Sequence, residues 1–230
     1  AYEHIIVVDG TGEELWRFDT RGRYSTCPAI LERDNQLPLI YAGDSQGLFT
    51  CLDGSGKIIW QAETAPIFSA SPALADLNAD GRIEVIQGDK TGGVSVYDAL
   101  TGELVWRQKI DKECSSPAVG DLNGDGQLEI IIAATSGNVF ALSSKGEKLW
   151  EFNVGSTSLD WSTCSPILFQ NSKGQVCIAA GSQDGRFFCL DNQGKILWQR
   201  TTRGAIGSTI SAGDFDSDGR ADLFAVTQLG

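Results

Sequence analysis

The sequence has no methionine, a single histidine and six prolines among its 230 residues. Because even position 1 is not methionine, we expect a chain that was processed or excised from a longer protein, with any targeting segment already removed. No apolar run is long enough to span a membrane, and no signal-peptide pattern stands at the start. We therefore expect no membrane insertion. We also expect an extracellular or periplasmic location, with the signal segment lying outside this chain.

Basic residues are also scarce. The chain has 18 lysines and arginines against 30 aspartates and glutamates, which gives a formal net charge of −12. A protein that binds nucleic-acid phosphates needs a basic surface, so this balance argues against a nucleic-acid partner. The hydrophobic content of 41% is still sufficient for a buried core.

No two cysteines form a C-x-x-C pair, which argues against a zinc ribbon or a thioredoxin-like centre. Most of the six cysteines stand within strand-like runs, where a buried thiol acts as a small apolar side chain. We expect mostly reduced core thiols; one or more disulfides are the alternative, and the even count does not decide between them. The cysteines are Cys27, Cys51, Cys114, Cys164, Cys177 and Cys189.

The sequence does contain an internal repeat. Each of five segments has an aliphatic run, a polar turn with glycine and then a tryptophan, and the tryptophans are Trp16, Trp60, Trp106, Trp150 and Trp198. These tryptophans are 44, 46, 44 and 48 residues apart. Each glycine turn joins two short alternating runs, which is typical of a β-hairpin. We expect the five tryptophans to pack between neighbouring repeats.

A second pattern lies between the tryptophans: a strand start that resembles Pro-Ala, a loop and a β-rich run. Each period therefore holds four short strands, named A to D here, with the tryptophan on D. Four strands in about 45 residues is the spacing of a β-propeller blade. The 48 positions from Trp198 round through both chain ends to Trp16 match the internal spacings.

The two ends of the chain complement each other. Residues 205–230 supply an A–B pair and residues 1–18 supply a C–D pair. The sequence therefore predicts an all-β, five-bladed β-propeller with four antiparallel strands per blade. It would form one domain over residues 1–230, closed by pairing the N- and C-terminal strands in one blade. The alternative is a five-blade part of a seven- or eight-bladed ring.

Three of the A–B loops carry the pattern Asp-x-Asn/Asp-x-Asp-Gly-x-x-Glu/Asp. Oxygen ligands at positions 1, 3 and 5 can converge on a hard cation, and glycine at position 6 permits the sharp turn. Position 7 offers its backbone carbonyl, and the last carboxylate closes the shell. The predicted ligands are Asp76, Asn78, Asp80, Arg82 and Glu84; Asp121, Asn123, Asp125, Gln127 and Glu129; and Asp214, Asp216, Asp218, Arg220 and Asp222.

This pattern predicts about three structural Ca²⁺ sites. Calcium is favoured over magnesium because a cage of many protein oxygens suits the larger ion with its flexible shell. The alternative is a set of Asx-rich turns that hold no metal. The corresponding loops at 32–40 and 171–178 lack the ligand series, so no site is expected there.

These motifs resemble known families. The Gly-x-x-x-Trp ending of every repeat resembles the PQQ-like propeller repeat of quinoprotein dehydrogenases and of assembly-factor scaffolds. The acidic loops resemble FG-GAP repeats of the integrin α-subunit and VCBS type. The resemblance covers essentially the whole chain. It implies a propeller fold but indicates almost nothing about function.

Strand direction alternates through a blade, so the D–A and B–C connections share one face, opposite the acidic loops. Variable loops on one face of a repeat protein often bind ligands. Trp161 is the only tryptophan outside the repeat register; it could stack on a sugar ring, or it could fill a gap between blades. The predicted ligand-binding residues on this face are Trp161, Asp160, Tyr24, Arg23, Phe68 and Arg203.

The sequence offers little for catalysis. His4 is the sole histidine, so a Ser-His-Asp arrangement has little to use, and we expect no catalytic residues. The favoured hypothesis is a calcium-stabilised binding module for a carbohydrate or a protein partner. The alternatives are a glycan-active enzyme with axial carboxylates, for which Glu113 and Asp160 are candidates, and a pure repeat scaffold.

Overall fold

The computed structural model describes residues 4–20, 22–23, 26–67, 70–155, 164–207 and 209–228. Over these residues the chain forms twenty-two β-strands and no helix, so the predicted all-β class is confirmed. No helix that could cross a membrane is found in this described part.

Sixteen of the described strands form four antiparallel sheets of four strands, each in simple up-and-down order. We call these sheets blades 1 to 4. Blade 1 contains β3 (Ala29–Leu31), β4 (Leu39–Gly43), β5 (Leu48–Asp53) and β6 (Ile58–Glu63). Blade 2 contains β7 (Ala73–Ala75), β8 (Glu84–Gly88), β9 (Gly93–Asp98) and β10 (Leu104–Lys109). Blade 3 contains β11 (Ala118–Gly120), β12 (Glu129–Ala133), β13 (Asn138–Leu142) and β14 (Lys148–Asn153), and blade 4 contains β15 (Ile167–Gln170), β16 (Val176–Gly181), β17 (Arg186–Leu190) and β18 (Ile196–Thr201).

The remaining strands form three two-stranded sheets. Near the N-terminus, β1 (His4–Val8) pairs with β2 (Glu14–Asp19). Near the C-terminus, β20 (Ser211–Gly213) pairs with β21 (Asp222–Phe224), and β19 (Ala205–Ile206) pairs with β22 (Thr227–Gln228).

The predicted joining of these end hairpins into a fifth four-stranded blade is not observed. In the described residues, β1–β2 and β20–β21 lie in separate sheets. The burial of β1 has a physical explanation in this arrangement. A C strand of a complete blade is flanked by B and D strands and is mostly buried, as β5 is. Among the described residues β1 pairs with β2 alone, and it alternates between exposed and half-buried residues. The structure therefore does not confirm closure of the ring.

Apolar clusters fill the space between neighbouring blades. The B strands of blades 1 to 3 are buried along their whole length, and β16 of blade 4 is buried except at its two end residues. This burial arises because runs such as EIIIA place apolar side chains on both faces of the strand. On β12, Ile132 packs in a cluster with Ile86 of blade 2, while Ile131 faces the other way and packs with Ile178 of blade 4. This alternation lets one strand contribute to two interfaces.

The A strands β3, β7, β11 and β15 contact one another in sequence, so they line the axis and the D strands lie on the outside. From the outer strand, four of the five repeat tryptophans reach the C–D turn of the following blade. Indole Nε1 donates a hydrogen bond of 2.9–3.0 Å to a backbone carbonyl there, in the pairs Trp16–Gly54, Trp60–Ala99, Trp106–Ser144 and Trp150–Asn192. The predicted packing of the repeat tryptophans between blades is confirmed for these four.

A glycine in each receiving turn makes this contact possible. Gly146 has a positive φ of 82°, and an added Cβ would lie 2.9 Å from the Trp106 ring. A Cβ added to Gly102, in the turn that receives Trp60, would lie 2.6 Å from the Trp60 ring. Gly12 occupies the same place in the β1–β2 turn, yet a Cβ added there would have no described atom within 4 Å. The turn that would receive the fifth tryptophan, Trp198, is therefore open.

The cysteines behave as the sequence predicts. All six are free thiols, and only Cys27 is exposed. Burial raises the pKa of Cys51, Cys114 and Cys189 to about 12 and that of Cys164 to about 11. The buried thiols therefore stay protonated and unreactive at neutral pH.

Candidate functional site

The three acidic A–B loops fold in the same way. In each loop the amide of the position 6 glycine donates to the position 1 carboxylate, over 2.8–2.9 Å. The amide at position 7 donates to the position 5 carboxylate, over 2.8–2.9 Å. Finally, the amide at position 2 donates to the last carboxylate, over 2.8–3.0 Å. Loops in blades 2 and 3 and in the β20–β21 hairpin thus hold their carboxylates with the same set of backbone hydrogen bonds.

The backbone of these loops enters the left-handed region twice. Position 6 is glycine in all three loops, with φ between 79° and 84°. At position 4 only one loop has a glycine, Gly124; the others hold Ala79 at 57° and Ser217 at 63°. A non-glycine residue at positive φ is uncommon and strained, so the surrounding hydrogen bonds must hold it in place.

The last carboxylate of the motif is the most buried member in the first two loops. Glu84 and Glu129 are 6% and 4% exposed, respectively. Their burial, to which nearby aspartates add repulsion, raises the pKa of both glutamates above the usual range. These residues therefore lie deep in the loop, where a cation would offset the clustered negative charge.

The third loop holds the densest set of carboxylates. One oxygen from each of Asp214, Asp216 and Asp218 lies within 4.8 Å of the others, in an exposed position. In the other loops an asparagine stands at position 3, and its amide donates to the position 5 carboxylate at 3.1 Å, from Asn78 to Asp80 and from Asn123 to Asp125. The oxygen donors of all three loops suit a hard cation such as Ca²⁺.

The motif alone gives position 7 only a backbone role, but the structure adds a side-chain role. Arg82 pairs with Asp80 at 3.0 Å, and Arg220 pairs with Asp218 at 3.7 Å. Gln127 is neutral and instead accepts a hydrogen bond from Ser144 at 3.1 Å. Two loops therefore carry an internal cation beside the position 5 carboxylate, and the Asp121 loop does not.

The predicted ligand-binding face is only partly covered by the structure. Arg23 and Arg203 are both exposed. Trp161, Asp160, Tyr24 and Phe68 lie outside the described residues, so the structure does not bring the six together. The suggested pair of axial carboxylates includes Asp160 and is likewise untested.

The outer strands carry a repeated feature that sequence reasoning missed. In every D strand the residue before the tryptophan has no partner in the register, because the strand contains a β-bulge there. Each of these bulge residues is aliphatic and is 42–61% exposed; they are Leu15, Ile59, Val105, Leu149 and Leu197. The sequence does show an aliphatic residue before each tryptophan. A β-bulge, however, can be recognised only from the pairing register of the two strands.

We call these five side chains the rim residues. The D strands that hold them end their sheets, with no strand paired to their outer side in the described residues. Edge strands in natural proteins are usually protected by charge, proline or cover. The combination of open strand edge and exposed aliphatic side chain is suited to contact with another chain.

Comparison with known proteins agrees with this fold. One family model, PQQ_2, described as outer membrane protein assembly factor BamB, matches residues 2–217. A search of curated protein sequences finds no significant match.

Several solved structures share the fold at low sequence identity. BamB from Moraxella catarrhalis is 19% identical with a TM-score of 0.64, over 97% of this chain and 66% of that one. BBS1N in complex with ARL6DN is 14% identical with a TM-score of 0.68, over 99% and 70%. The computationally designed Ika8 protein is 19% identical with a TM-score of 0.63, over 94% and 63%.

The chain thus spans about two thirds of the length of these structures. At this identity they show a shared propeller fold and no more. The family match covers residues 2–217, which is far more than half of the sequence. The chain belongs to the PQQ_2 family, whose model is described as outer membrane protein assembly factor BamB.

Proposed function

We propose that this chain is a protein-binding module of the β-propeller type, and that its outer rim is a recognition surface. The observation that carries this proposal is the exposed aliphatic residue at the same bulge of every D strand. These side chains contribute little to the core, and water contact is unfavourable for them by roughly 25 cal/mol per Å². A partner that covers them would gain that free energy and could also pair with the open strand edge.

The relatives support a protein partner. The BamB family is described as an assembly factor for outer membrane proteins, and the BBS1N structure is a complex with ARL6DN. By analogy we propose a protein ligand for this chain in preference to a carbohydrate, and an extracellular or periplasmic location. A role for Trp161, Asp160, Tyr24, Arg23, Phe68 and Arg203 stays a prediction.

We also propose that calcium binds the three acidic loops as a structural cofactor. The shared hydrogen-bond pattern supports this, because backbone amides of the loop already fix the carboxylates at positions 1, 5 and 9. The Asp121 loop should bind most tightly, since it has no arginine paired with its position 5 carboxylate. The ion would brace the loop rather than take part in a reaction.

The rim can be tested with a photo-crosslinking amino acid at Val105 or Leu197 and, as matched controls, at Gln108 or Gln199. The controls are exposed polar positions on the same two strands, β10 and β18. In extract of the native host we expect defined protein adducts at the two rim positions and few at the controls. Equal labelling at all four positions would contradict the rim as the surface, and a hit on a glycan array would favour the carbohydrate alternative.

A further inference from the structure

Trp198 differs from the other repeat tryptophans in what lies beyond it. One blade earlier, Trp150 donates to the carbonyl of Asn192 at 3.0 Å, and Gly194 in the same turn makes room for its ring. Trp198 is half-buried and packs edge-to-face on Phe187 of its own blade, with 5.6 Å between ring centroids. Its indole Nε1 has no hydrogen-bond partner among the residues that the structure describes. Blade 4 thus presents the donor of a blade contact without the acceptor.

The space beside this indole is a groove of about 440 Å³, which we call the Trp198 groove. Its wall includes the side chains of Trp198, Phe187, Phe169, Leu223, Arg200 and Arg220. Leu223 belongs to β21, which pairs only with β20 in the described part of the chain. The groove therefore combines an indole donor, an apolar wall and a strand with one open edge.

The position of Arg200 indicates what should face it. Arg200 follows Trp198 by two residues, as Phe152 follows Trp150 in blade 3. Phe152 meets Phe188 on the C strand of the following blade, with 5.3 Å between ring centroids. Arg200 should likewise face the C strand of whatever occupies the groove. A carboxylate on that strand would suit it, since a guanidinium and a carboxylate can form two parallel hydrogen bonds.

The charges of the groove also favour an acidic occupant. Arg200 is exposed and has no carboxylate within ion-pair distance among the described residues; its Nη1 donates only to the Gln199 carbonyl, at 3.1 Å. Arg220 is exposed and lies 3.7 Å from Asp218. The one carboxylate of the groove wall, on Asp222, accepts a backbone amide of its own loop at 3.0 Å. A guanidinium is therefore left for a partner, on a chain whose net charge is −12.

We propose that the Trp198 groove binds an acidic β-hairpin of a partner protein. The turn of the hairpin would offer a backbone carbonyl to Trp198 Nε1, and a glycine in it would let the turn approach the ring, as Gly194 does for Trp150. One strand would pair with the open edge of β21 and bring a carboxylate to Arg200. The site uses none of the five rim residues, so it goes beyond the function proposed for the rim.

The probe is a cyclised peptide of residues 4–19, which reproduces the β1–β2 hairpin of this chain. It has a glycine turn, and it carries four carboxylates and one arginine. Cyclisation fixes a hairpin that is only marginally stable by itself. When the unlabelled peptide is added to the ¹⁵N-labelled full chain, the indole N–H signal of Trp198 should move and those of the other tryptophans should not. The Trp198 signal is assigned by its loss in Trp198→Phe.

Two variants of the chain provide a matched pair for calorimetry. Arg200→Gln should weaken peptide binding about tenfold, because it removes the partner of the hairpin carboxylate. Lys195→Gln removes the same charge from an exposed turn residue of the same blade and should change the affinity by no more than about twofold. A peptide with Gly12→Ala should bind more weakly than the parent peptide, because its methyl group would meet the Trp198 ring.

Four results would overturn the proposal. Two are equal affinity of wild type and Arg200→Gln, and an unmoved Trp198 signal with millimolar peptide. A Trp198 signal that moves when the chain alone is concentrated would assign the groove to a second copy in place of a partner protein. A signal already at its bound position at every dilution would assign the groove to the β1–β2 hairpin of the same chain.

Discussion

Glu129 accepts the backbone amide of Leu122 through Oε2 at 2.8 Å, and the pair anchors an acidic loop to the edge of β12. The glutamate is nearly buried, and Asn123 also donates to its other oxygen at 3.3 Å. The last acid of the motif therefore has a structural role that is separate from any metal. The same relationship joins Glu84 to Leu77 in blade 2.

We expect Glu129→Ala to lower the melting temperature both with calcium and with chelator. The buried amide of Leu122 would lose its acceptor, which costs about 1–3 kcal/mol. Asp125→Ala, by contrast, should lower it mainly when calcium is present. Identical behaviour of the two variants in chelator would contradict the separate anchoring role.

Calcium titration by calorimetry should reveal about three sites in the wild-type chain. Asp80→Ala, Asp125→Ala and Asp218→Ala should each remove one ion, and Asp191→Asn in a non-motif turn should remove none. Chelation should lower the melting temperature, because an ion at a hundredfold excess over its dissociation constant stabilises the native state by about 2.7 kcal/mol per site. Unchanged stoichiometry in all three alanine variants would exclude the assignment.

The tryptophan contact can be separated from backbone strain with two glycine variants. Gly146→Ala and Gly12→Ala both place alanine at positive φ, but only the first puts a methyl group against a tryptophan. Denaturant unfolding should show Gly12→Ala losing about 1 kcal/mol. Gly146→Ala should lose roughly 1–3 kcal/mol more, the range for overpacking.

Trp106→Ala should be the most destabilising of this set, at about 3–5 kcal/mol. If equal losses are measured for the two glycine variants, the Trp106 ring does not press on the turn. Trp161→Ala, outside the repeat register, is expected to cost less stability than Trp106→Ala.

Thiol labelling should find one fast-reacting cysteine in the native chain at pH 8. Cys27 is exposed, whereas burial raises the pKa of Cys51, Cys114 and Cys189 to about 12. Cys27→Ser should remove the fast reaction. More than one fast thiol would contradict the burial of the others.

The same raised thiol pKa values determine how the stability of the fold should change at alkaline pH. An unfolded thiol ionises near pH 8.5, well before the buried ones do. The contribution of these groups to the free energy of unfolding is therefore fully present below that pH, and it is lost as the pH rises toward 12. Urea unfolding at pH 8 and pH 10 should show the decline.

Much of the fold could be predicted from the sequence because its signals are local or periodic. Alternation, the glycine turns and the spacing of Trp60 from Trp106 locate the strands of each blade. The acidic loops likewise follow from nine adjacent residues. Closure at the ends did not follow, because complementary halves say nothing about whether β1 reaches β21.

The ion pair between Arg107 and Asp89 could not be predicted for a related reason. Asp44 and Asp89 look alike as turn residues, but Asp89 lies 2.7 Å from the guanidinium of Arg107, which is 18 positions further along the chain. Only the pairing of β9 with β10 brings that side chain beside the turn. The rim residues were hidden in the same way, since a bulge is a property of pairing.

The indole hydrogen bonds of Trp16, Trp60, Trp106 and Trp150 all point to the blade that follows in the chain. During synthesis, a blade that leaves the ribosome still lacks the turn that receives its indole. That turn emerges about one repeat later, which at roughly 5–20 residues per second is a delay on the order of seconds. Until that turn emerges, the indole of the newest blade has no carbonyl to bond, so each blade is completed only when part of the next one has left the ribosome.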